Sequence, residues 1–152
     1  MNAPVKNDVL LSVNDLKVHF PRAKSGWFGE REVVKAVDGV SFDVKRGTTL
    51  AIVGESGSGK TTTALAVMRL SPVTAGRIQL GDTDLGALQG EPLRLARRRL
   101  QIIFQDPFSS LNPRERAGAA VRAPLDLMNV GTPAERTARV AELFTPRETA
   151  DV

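Results

Sequence analysis

Apolar and polar residues alternate in two stretches near the start of the chain. In the first stretch, Leu16, Val18 and Phe20 alternate with polar residues, which predicts a half-buried strand over residues 10–20. The alternation resumes over residues 33–44. Because the two stretches are close in sequence and each has one apolar face, they predict a small antiparallel β subdomain.

The segment between these two stretches carries glycines and charges and is predicted to be a loop. It contains Trp27 and Phe28, which either form an exposed contact or fold back onto the sheet. The sequence leaves both interpretations open. His19 has the outward phase of the preceding strand beside Lys17, which predicts a solvated side chain and not a metal ligand.

Three short apolar runs have the length and the turn-forming flanks of strands. Residues 49–53 lie between Gly47 and Gly54, which predicts a buried parallel strand. Residues 77–80 and 100–104 are also predicted to be strands.

Four segments have the spacing of helices: 61–70, 91–98, 114–129, in which Pro124 is expected to force a break or a new start, and 133–144. In the last of these, Thr132 and Glu135 form the pattern of a capping box, and Pro133 occupies the first helical position. Glu135 is also expected to pair with Arg139 one turn later. The apolar face of this helix is predicted to contain Thr137, Val140, Ala141 and Phe144.

Length and composition narrow the class of protein. The 152 residues suffice for one domain, and 41% hydrophobic with 25% charged residues is typical of a soluble globular protein. No apolar run approaches the ~20 residues that span a bilayer, and residues 1–8 lack the apolar core of a secretory signal. The absence of cysteine fits a reducing compartment. These features predict a cytoplasmic protein.

The chain has a net charge of +4, and part of the excess lies in Arg94, Arg97, Arg98 and Arg99. A nucleic-acid patch is one interpretation and a solvated helix face is the other. Leucines interleave with these arginines as a core-facing stripe would, and the chain has few aromatic residues to stack on bases. Both observations favour the helix face.

The segment 54–61 reads Gly-Glu-Ser-Gly-Ser-Gly-Lys-Thr, a complete phosphate-binding loop between a predicted strand and a predicted helix. Its glycines allow consecutive N–H groups to point at phosphate oxygens. Lys60 supplies a positive charge for the β- and γ-phosphates, and Thr61 offers a hydroxyl to Mg²⁺. The residues expected to bind a nucleotide here are Gly54, Glu55, Ser56, Gly57, Ser58, Gly59, Lys60, Thr61 and Thr62.

Two further segments sharpen this assignment. They are Val37-Asp-Gly-Val-Ser-Phe42, ahead of the loop, and Ile102-Ile-Phe-Gln-Asp-Pro-Phe-Ser-Ser-Leu-Asn-Pro-Arg114. With the phosphate loop they resemble the nucleotide-binding subunit of ABC transporters, in the dipeptide/oligopeptide/nickel importer group, from about Leu10 to about Phe144. The resemblance implies an α/β fold of the P-loop NTPase type, with a small antiparallel β subdomain and the start of a helical subdomain.

The resemblance also implies roles for individual residues. Gln105 would be the glutamine of the Q-loop, which touches Mg²⁺ and the attacking water, so that Lys60 and Gln105 are the catalytic candidates and Thr61 and Gln105 the metal ligands. Phe20 matches the aromatic position that stacks on adenine, whereas its place at the end of an alternating strand is equally typical of a core residue. The implied cofactors are ATP and Mg²⁺.

The implied partners are transmembrane permease subunits and a second ATP-binding subunit, in a homodimer or a heterodimer, with no nucleic acid. The implied location is the cytoplasm, peripheral on the inner face of the cell membrane through the permease. In the family, ATP hydrolysis drives transport. The transported solute cannot be read from this chain.

Several family motifs do not occur in these 152 residues. They are the Leu-Ser-Gly-Gly-Gln type signature, an apolar run ending in Asp-Glu, and a histidine after Gln105. We therefore expect one incomplete domain over residues 1–152, truncated by a premature stop, a frameshift or gene fragmentation, with poorly ordered ends at 1–9 and 145–152. We also expect little ATP turnover. The alternatives are a non-catalytic nucleotide-binding or interaction module and a nucleic-acid-associated ATPase.

The same resemblance predicts consequences for the sheet. In the family, strands from the missing half lie between the phosphate-loop strand and the strand that leads to Gln105. The strands 49–53 and 100–104 are therefore expected to be unpaired with each other, with a groove between them. Marginal stability and a tendency to aggregate are expected to follow.

Overall fold

The computed structural model of the protein describes residues 8–22, 33–106 and 111–145. The chain divides into two compact units, Met1–Leu100 and Gln101–Val152. The predicted loop with Trp27 and Phe28 lies outside the described residues, as do the predicted disordered ends apart from Asp8, Val9 and Thr145.

The first unit is built on a four-stranded antiparallel sheet. Its strands are β1 (Val9–Pro21), β2 (Val33–Lys45), β3 (Ala75–Leu80) and β4 (Thr83–Asp84), in the spatial order β2-β1-β3-β4. β1 pairs with β2 on one side and with β3 on the other. The antiparallel β subdomain is thus confirmed, and it includes the strand predicted at 77–80.

The core lies between one face of this sheet and helix α1 (Lys60–Val67). Leu16 and Val18 of β1 are fully buried, as the two-residue alternation predicts, and Val13, on the other side of an irregularity in the strand, is buried with them. The other buried apolar residues are Val37, Ala66, Val67, Ile78, Leu80 and Leu85. Because α1 follows the phosphate loop directly, its packing on the sheet fixes the position of the loop.

The prediction of strands at 49–53 and 100–104 is wrong, because neither segment is a strand in the structure. The described sheet consists only of the four antiparallel strands. A strand requires the N–H and C=O groups of a neighbour, and apolar character alone does not supply them. Most of their side chains are exposed instead: Val53 is 88% and Ile103 is 96% exposed, whereas Leu100 and Ile102 are half-buried.

One arginine of the basic run anchors the C-terminal end of α1. Arg97 lies in the 3₁₀ turn Arg97–Arg99, directly after helix α2 (Gly90–Ala96). Its guanidinium donates hydrogen bonds to the carbonyl oxygens of Met68 (3.1 Å) and Arg69 (2.5 Å). These carbonyls lie at the C-terminal end of the helix, where carbonyl oxygens have no N–H partner within the helix and a positive charge is favourable. The expectation of a solvated side chain is therefore wrong for Arg97.

We expect Arg97→Ala to lower the free energy of unfolding by about 1–3 kcal/mol, because it removes charge-assisted hydrogen bonds at a half-buried helix end. Urea unfolding of the full chain measures this. Arg98→Ala is the matched control, since Arg98 is exposed in the same turn and should change stability by less than about 0.5 kcal/mol. Equal losses in both variants would contradict the anchoring role.

The second unit contains helix α3 (Ala117–Leu127) and helix α4 (Pro133–Phe144). α3 is continuous through Pro124, so the expected break is wrong. The proline ring holds a φ compatible with a helix and removes only the hydrogen bond to Ala120. In this short helix, none of whose residues is buried, that loss does not interrupt the helical backbone.

The capping box of α4 is confirmed. The Glu135 N–H donates to Thr132 Oγ1 (3.3 Å), and the Thr132 N–H donates to Glu135 Oε2 (2.7 Å). The hydrogen bond from the Thr132 N–H, followed by that from the Thr132 hydroxyl, holds the pKa of Glu135 below its usual value. The predicted pair with Arg139 is wrong, because Glu135 is engaged at the helix start and Arg139 pairs with Glu142 (2.5 Å).

Asp126 joins α3 to α4. Its carboxylate accepts hydrogen bonds from Arg136 on α4 (2.9 Å) and from Arg122 on its own helix (3.0 Å). Arg122 also donates to Thr137 of α4 (2.9 Å). The hydrogen bond from Arg136, followed by that from Arg122, holds the pKa of Asp126 below its usual value.

Acid is therefore expected to loosen this helical pair. The depressed pKa means that the charged carboxylate stabilises the folded form at every pH above the usual aspartate value of 3.8. This contribution is lost as the pH falls below 3.8 through the pKa of the folded state. Amide exchange protection of residues 117–144, corrected for the intrinsic rate, should decrease over that range. Asp126→Asn should reduce protection already at pH 7, whereas Glu115→Gln, in the exposed loop before α3, should not.

Candidate nucleotide-binding site

The phosphate loop has the conformation that its glycines permit. Gly57 (φ 82°) and Gly59 (φ 89°) are both in the left-handed region. Gly59 is the N-cap of α1, and no side chain among the described residues caps that helix start. The N–H groups of the first turn are therefore available for a ligand, and the helix dipole favours an anion there.

Lys60 folds back over the loop. Its Nζ donates to the carbonyl oxygens of Gly54 (2.9 Å) and Glu55 (2.6 Å) and contacts Ser58 Oγ at 3.4 Å. These contacts hold the positive charge against the loop residues 54–58. An incoming phosphate can therefore take over donors that are already directed at the loop.

The loop is fixed at its C-terminal end by β2 and by α1. A Cβ atom on Gly59 would lie 2.3 Å from the carbonyl oxygen of Ala36, so the two backbones are in close contact. Val37, next to Ala36, is buried in the core. On the helix side, the hydroxyl of buried Thr63 donates to the Gly59 carbonyl (2.9 Å). Glycine at this position is a packing requirement as well as a conformational one.

An open cleft of about 380 Å³ adjoins the loop. Gly54, Ser58, Lys60 and Thr63 line it together with apolar residues of β2 and of the segment 50–53. The wall of the cleft beyond the loop is thus largely apolar. It includes residues 50–53, which are exposed because this segment does not form the predicted strand.

The remaining residues of the predicted site differ in exposure and in the unit to which they belong. Phe20 is 37% exposed near the end of β1, which argues against the interpretation as a core residue. Thr61 is exposed in the first turn of α1 and Thr62 is half-buried. Gln105 is exposed and belongs to the second unit, whereas the phosphate loop and Phe20 belong to the first.

The prediction of a solvated His19 is wrong. Its side chain is only 19% exposed, and Nε2 lies 2.9 Å from Asp38 Oδ1 on β2. Lys35 donates to the other oxygen of the same carboxylate (3.2 Å). Asp38 gave no signal in the sequence, because its partner depends on how β1 and β2 pair.

The basic run is partly occupied by internal contacts. Arg94 binds Glu91 (2.6 Å), and this hydrogen bond holds the pKa of Glu91 below its usual value. Arg97 anchors α1, and Arg99 contacts Thr83 Oγ1 at 3.4 Å. These contacts favour a structural role for the run over a nucleic-acid patch.

The donors near the loop suit a magnesium ion that is held mainly by a nucleotide. Within residues 8–22, 33–106 and 111–145, no group of three or more His, Cys, Asp or Glu side chains could hold a metal. Mg²⁺ in nucleotide sites typically takes one or two protein ligands and completes its shell with phosphates and water. Thr61, at the start of α1, offers one such oxygen.

Comparison with protein families gives a match to the ABC transporter family over residues 37–150, which include the phosphate loop, α1 and all but the last two residues of the second unit. This match covers most of the chain. The chain belongs to the ABC transporter family.

Similar sequences come from peptide transporters. The chain is 48% identical over 121 residues to a probable peptide ABC transporter ATP-binding protein of Sinorhizobium fredii, covering 79% of the chain and 34% of that protein. It is 45% identical over 140 residues to the oligopeptide transport ATP-binding protein AppF of Bacillus subtilis, covering 90% of the chain and 42% of the relative. It is 43% identical to the dipeptide transport ATP-binding protein DppF of Escherichia coli, covering 76% and 34%. The chain thus spans less than half the length of these relatives.

A solved structure confirms the fold. The dimeric ATP-binding cassette MJ0796, in a post-hydrolysis state bound to ADP and Pi, superposes with a TM-score of 0.68 at 25% identity. The match covers 87% of this chain and 54% of that one. The described part of this ABC protein is therefore a portion of the cassette fold.

None of the helices among the described residues of this ABC protein is both long and apolar enough to cross a bilayer.

Proposed function

We propose that this chain binds MgATP as the energising part of an ABC importer for peptides or similar solutes. The observation that carries the proposal is the loop 54–61, where the Lys60 ammonium is bonded to the loop carbonyls and the start of α1 has no side-chain cap among the described residues. Phosphates bind to the loop N–H groups and to Lys60. Thr61 holds Mg²⁺, and Phe20 stacks on the base. The names of the relatives support peptides as the solute class.

Calorimetry and thermal unfolding of the full chain test this proposal. Titration with MgATP should give saturable heat, and MgATP should raise Tm because it binds the folded state only. MgADP should bind through the same loop. Absence of heat and of a Tm shift with both nucleotides would overturn the proposal.

The partners proposed with this function are permease subunits in the membrane and a second ATP-binding subunit. The protein would then be cytoplasmic and peripheral on the inner face of the membrane. The solved cassette MJ0796 is a dimer, which supports the second subunit. Gln105, in the second unit, is proposed to sense the γ-phosphate, because an amide can donate to one oxygen and accept from another.

We further propose that these 152 residues, taken by themselves, bind ATP with little turnover. Phosphoryl transfer depends on positioning and on charge stabilisation around metal and water. Among the described residues, no carboxylate lines the cleft that adjoins the loop. Phosphate release from MgATP should therefore be close to background, although calorimetry shows binding. Turnover at an ordinary transporter rate that Lys60→Ala abolishes would contradict this.

A further inference from the structure

The pair formed by His19 and Asp38 lies where β2 contacts the phosphate loop. Across the two strands, Val18 is opposite Val37 and His19 is opposite Lys35, so Ala36 is an extra residue on β2 and forms a β-bulge. The carbonyl oxygen of this bulged residue is the one that Gly59 approaches. The bulge is thus a point of contact between the sheet and the loop.

The side chains of His19 and Asp38 bridge this bulge. His19 follows the bulge on β1, and Asp38 lies on β2 two residues after Ala36, opposite Lys17; His19 Nε2 is 2.9 Å from Asp38 Oδ1. The backbone of His19 is held separately, because its N–H donates to Thr74 Oγ1 (2.8 Å). A bulge leaves its extra residue unpaired and disrupts the ladder of hydrogen bonds locally. The pair restores a cross-strand link at that place.

Phe20 follows His19 directly and is opposite Val34. The backbone of Phe20 is thus tied to β2 beside the His19–Asp38 bridge, and β2 is tied to the loop at Ala36. The described structure therefore contains one continuous path: Phe20, His19, Asp38, Val37, Ala36 and Gly59.

We propose that His19 and Asp38 are positioning residues, which hold Phe20 at the distance from the phosphate loop that a base-bearing nucleotide requires. This inference rests on the proposed function. The pair acts on the base contact and leaves the phosphate contact unchanged, because Gly59 and Ala36 meet through their backbones and Val37 is buried. Loss of the His19–Asp38 hydrogen bond lets the end of β1 shift relative to β2.

The charges around the pair agree with this role. The hydrogen bond from His19, followed by that from Lys35, holds the pKa of Asp38 below its usual value, so the acceptor is charged at neutral pH. Lys35 lies on β2, like Asp38, and does not connect the two strands. Lys35 is therefore the natural control.

The test compares MgATP with magnesium tripolyphosphate, which has the phosphates and lacks the base. Calorimetry on the full chain should show that His19→Ala and Asp38→Ala weaken MgATP binding about five- to tenfold, the scale of one hydrogen bond or one base stack. Tripolyphosphate affinity should change less than about twofold. His19→Gln, whose amide nitrogen can reach the same carboxylate, should recover most of the loss. Lys35→Ala should behave like the unaltered chain.

Phe20→Ala completes the test. It should cause the same selective loss for MgATP, and adding His19→Ala to it should cause no further loss, because both changes remove one contact. The milder Asp38→Asn serves if an alanine variant does not fold. Equal weakening of both ligands, no change in either, or full additivity with Phe20→Ala would each overturn the proposal. Failure of the unaltered chain to bind either ligand would instead refute the proposed function, and with it this inference.

Discussion

Lys60→Ala is expected to weaken MgATP binding by about 10- to 150-fold, which corresponds to the ~1.5–3 kcal/mol of a hydrogen bond to a charged group. The ammonium group lies over the loop, where it donates to the carbonyls of Gly54 and Glu55. A bound triphosphate brings several negative oxygens to this place, and no other lysine or arginine in the described part of the chain lines the adjoining cleft. Calorimetry with MgATP and with tripolyphosphate measures the loss, which should be similar for both.

The stability of the nucleotide-free chain should barely respond to this change. The carbonyls that Lys60 leaves are on the exposed loop, where water can bind them. Lys45→Ala is the matched control, because Lys45 is an exposed lysine at the end of β2, and this change should leave affinity within about twofold. A Lys60→Ala chain that binds MgATP as the unaltered chain does would contradict the site.

Gly59→Ala is expected to lower the free energy of unfolding by about 2–5 kcal/mol. The left-handed φ of 89° costs a residue with a Cβ about 1–2 kcal/mol, and overpacking adds about 1–3 kcal/mol. The overlap is severe because the new Cβ would lie 2.3 Å from the carbonyl oxygen of Ala36. That oxygen belongs to the backbone of β2, next to buried Val37, so it cannot move aside as a flexible side chain would. Urea unfolding without nucleotide measures the change.

Gly57→Ala separates the two causes. Gly57 has nearly the same φ (82°), and a Cβ there would meet nothing within 4 Å among the described residues. This variant should lose only the conformational part, about 1–2 kcal/mol. The difference between the two variants therefore reports the contact between loop and sheet. Equal losses at both positions would show that Gly59 does not pack against β2 as the structure has it.

The sequence was most informative where short-range rules apply. The phosphate loop, the start of α1 and the capping box of α4 depend on residues within a few positions of one another. The capping box is confirmed, and α1 begins at Lys60, one residue before the predicted start. The alternation that buries Leu16 and Val18 is equally local.

The errors have a different origin. Residues 49–53 and 100–104 have the composition of strands, but a strand forms only when another segment presents its backbone groups alongside. Glu135 could pair with Arg139 by spacing, but the competing bonds at the helix start take its carboxylate. In both cases the local pattern was compatible with the prediction. The observed structure depended on whether the partner group, a neighbouring strand or a free carboxylate, was available.

The sequence by itself determined the family, the phosphate loop and the periodicity of most elements, because spacing and backbone freedom are properties of neighbouring residues. Only the tertiary structure decided that Arg97 anchors α1 and that His19 meets Asp38 across the bulge at Ala36. These contacts join residues 19 or more positions apart. Which distant groups meet depends on strand register and helix packing, and no local pattern encodes these.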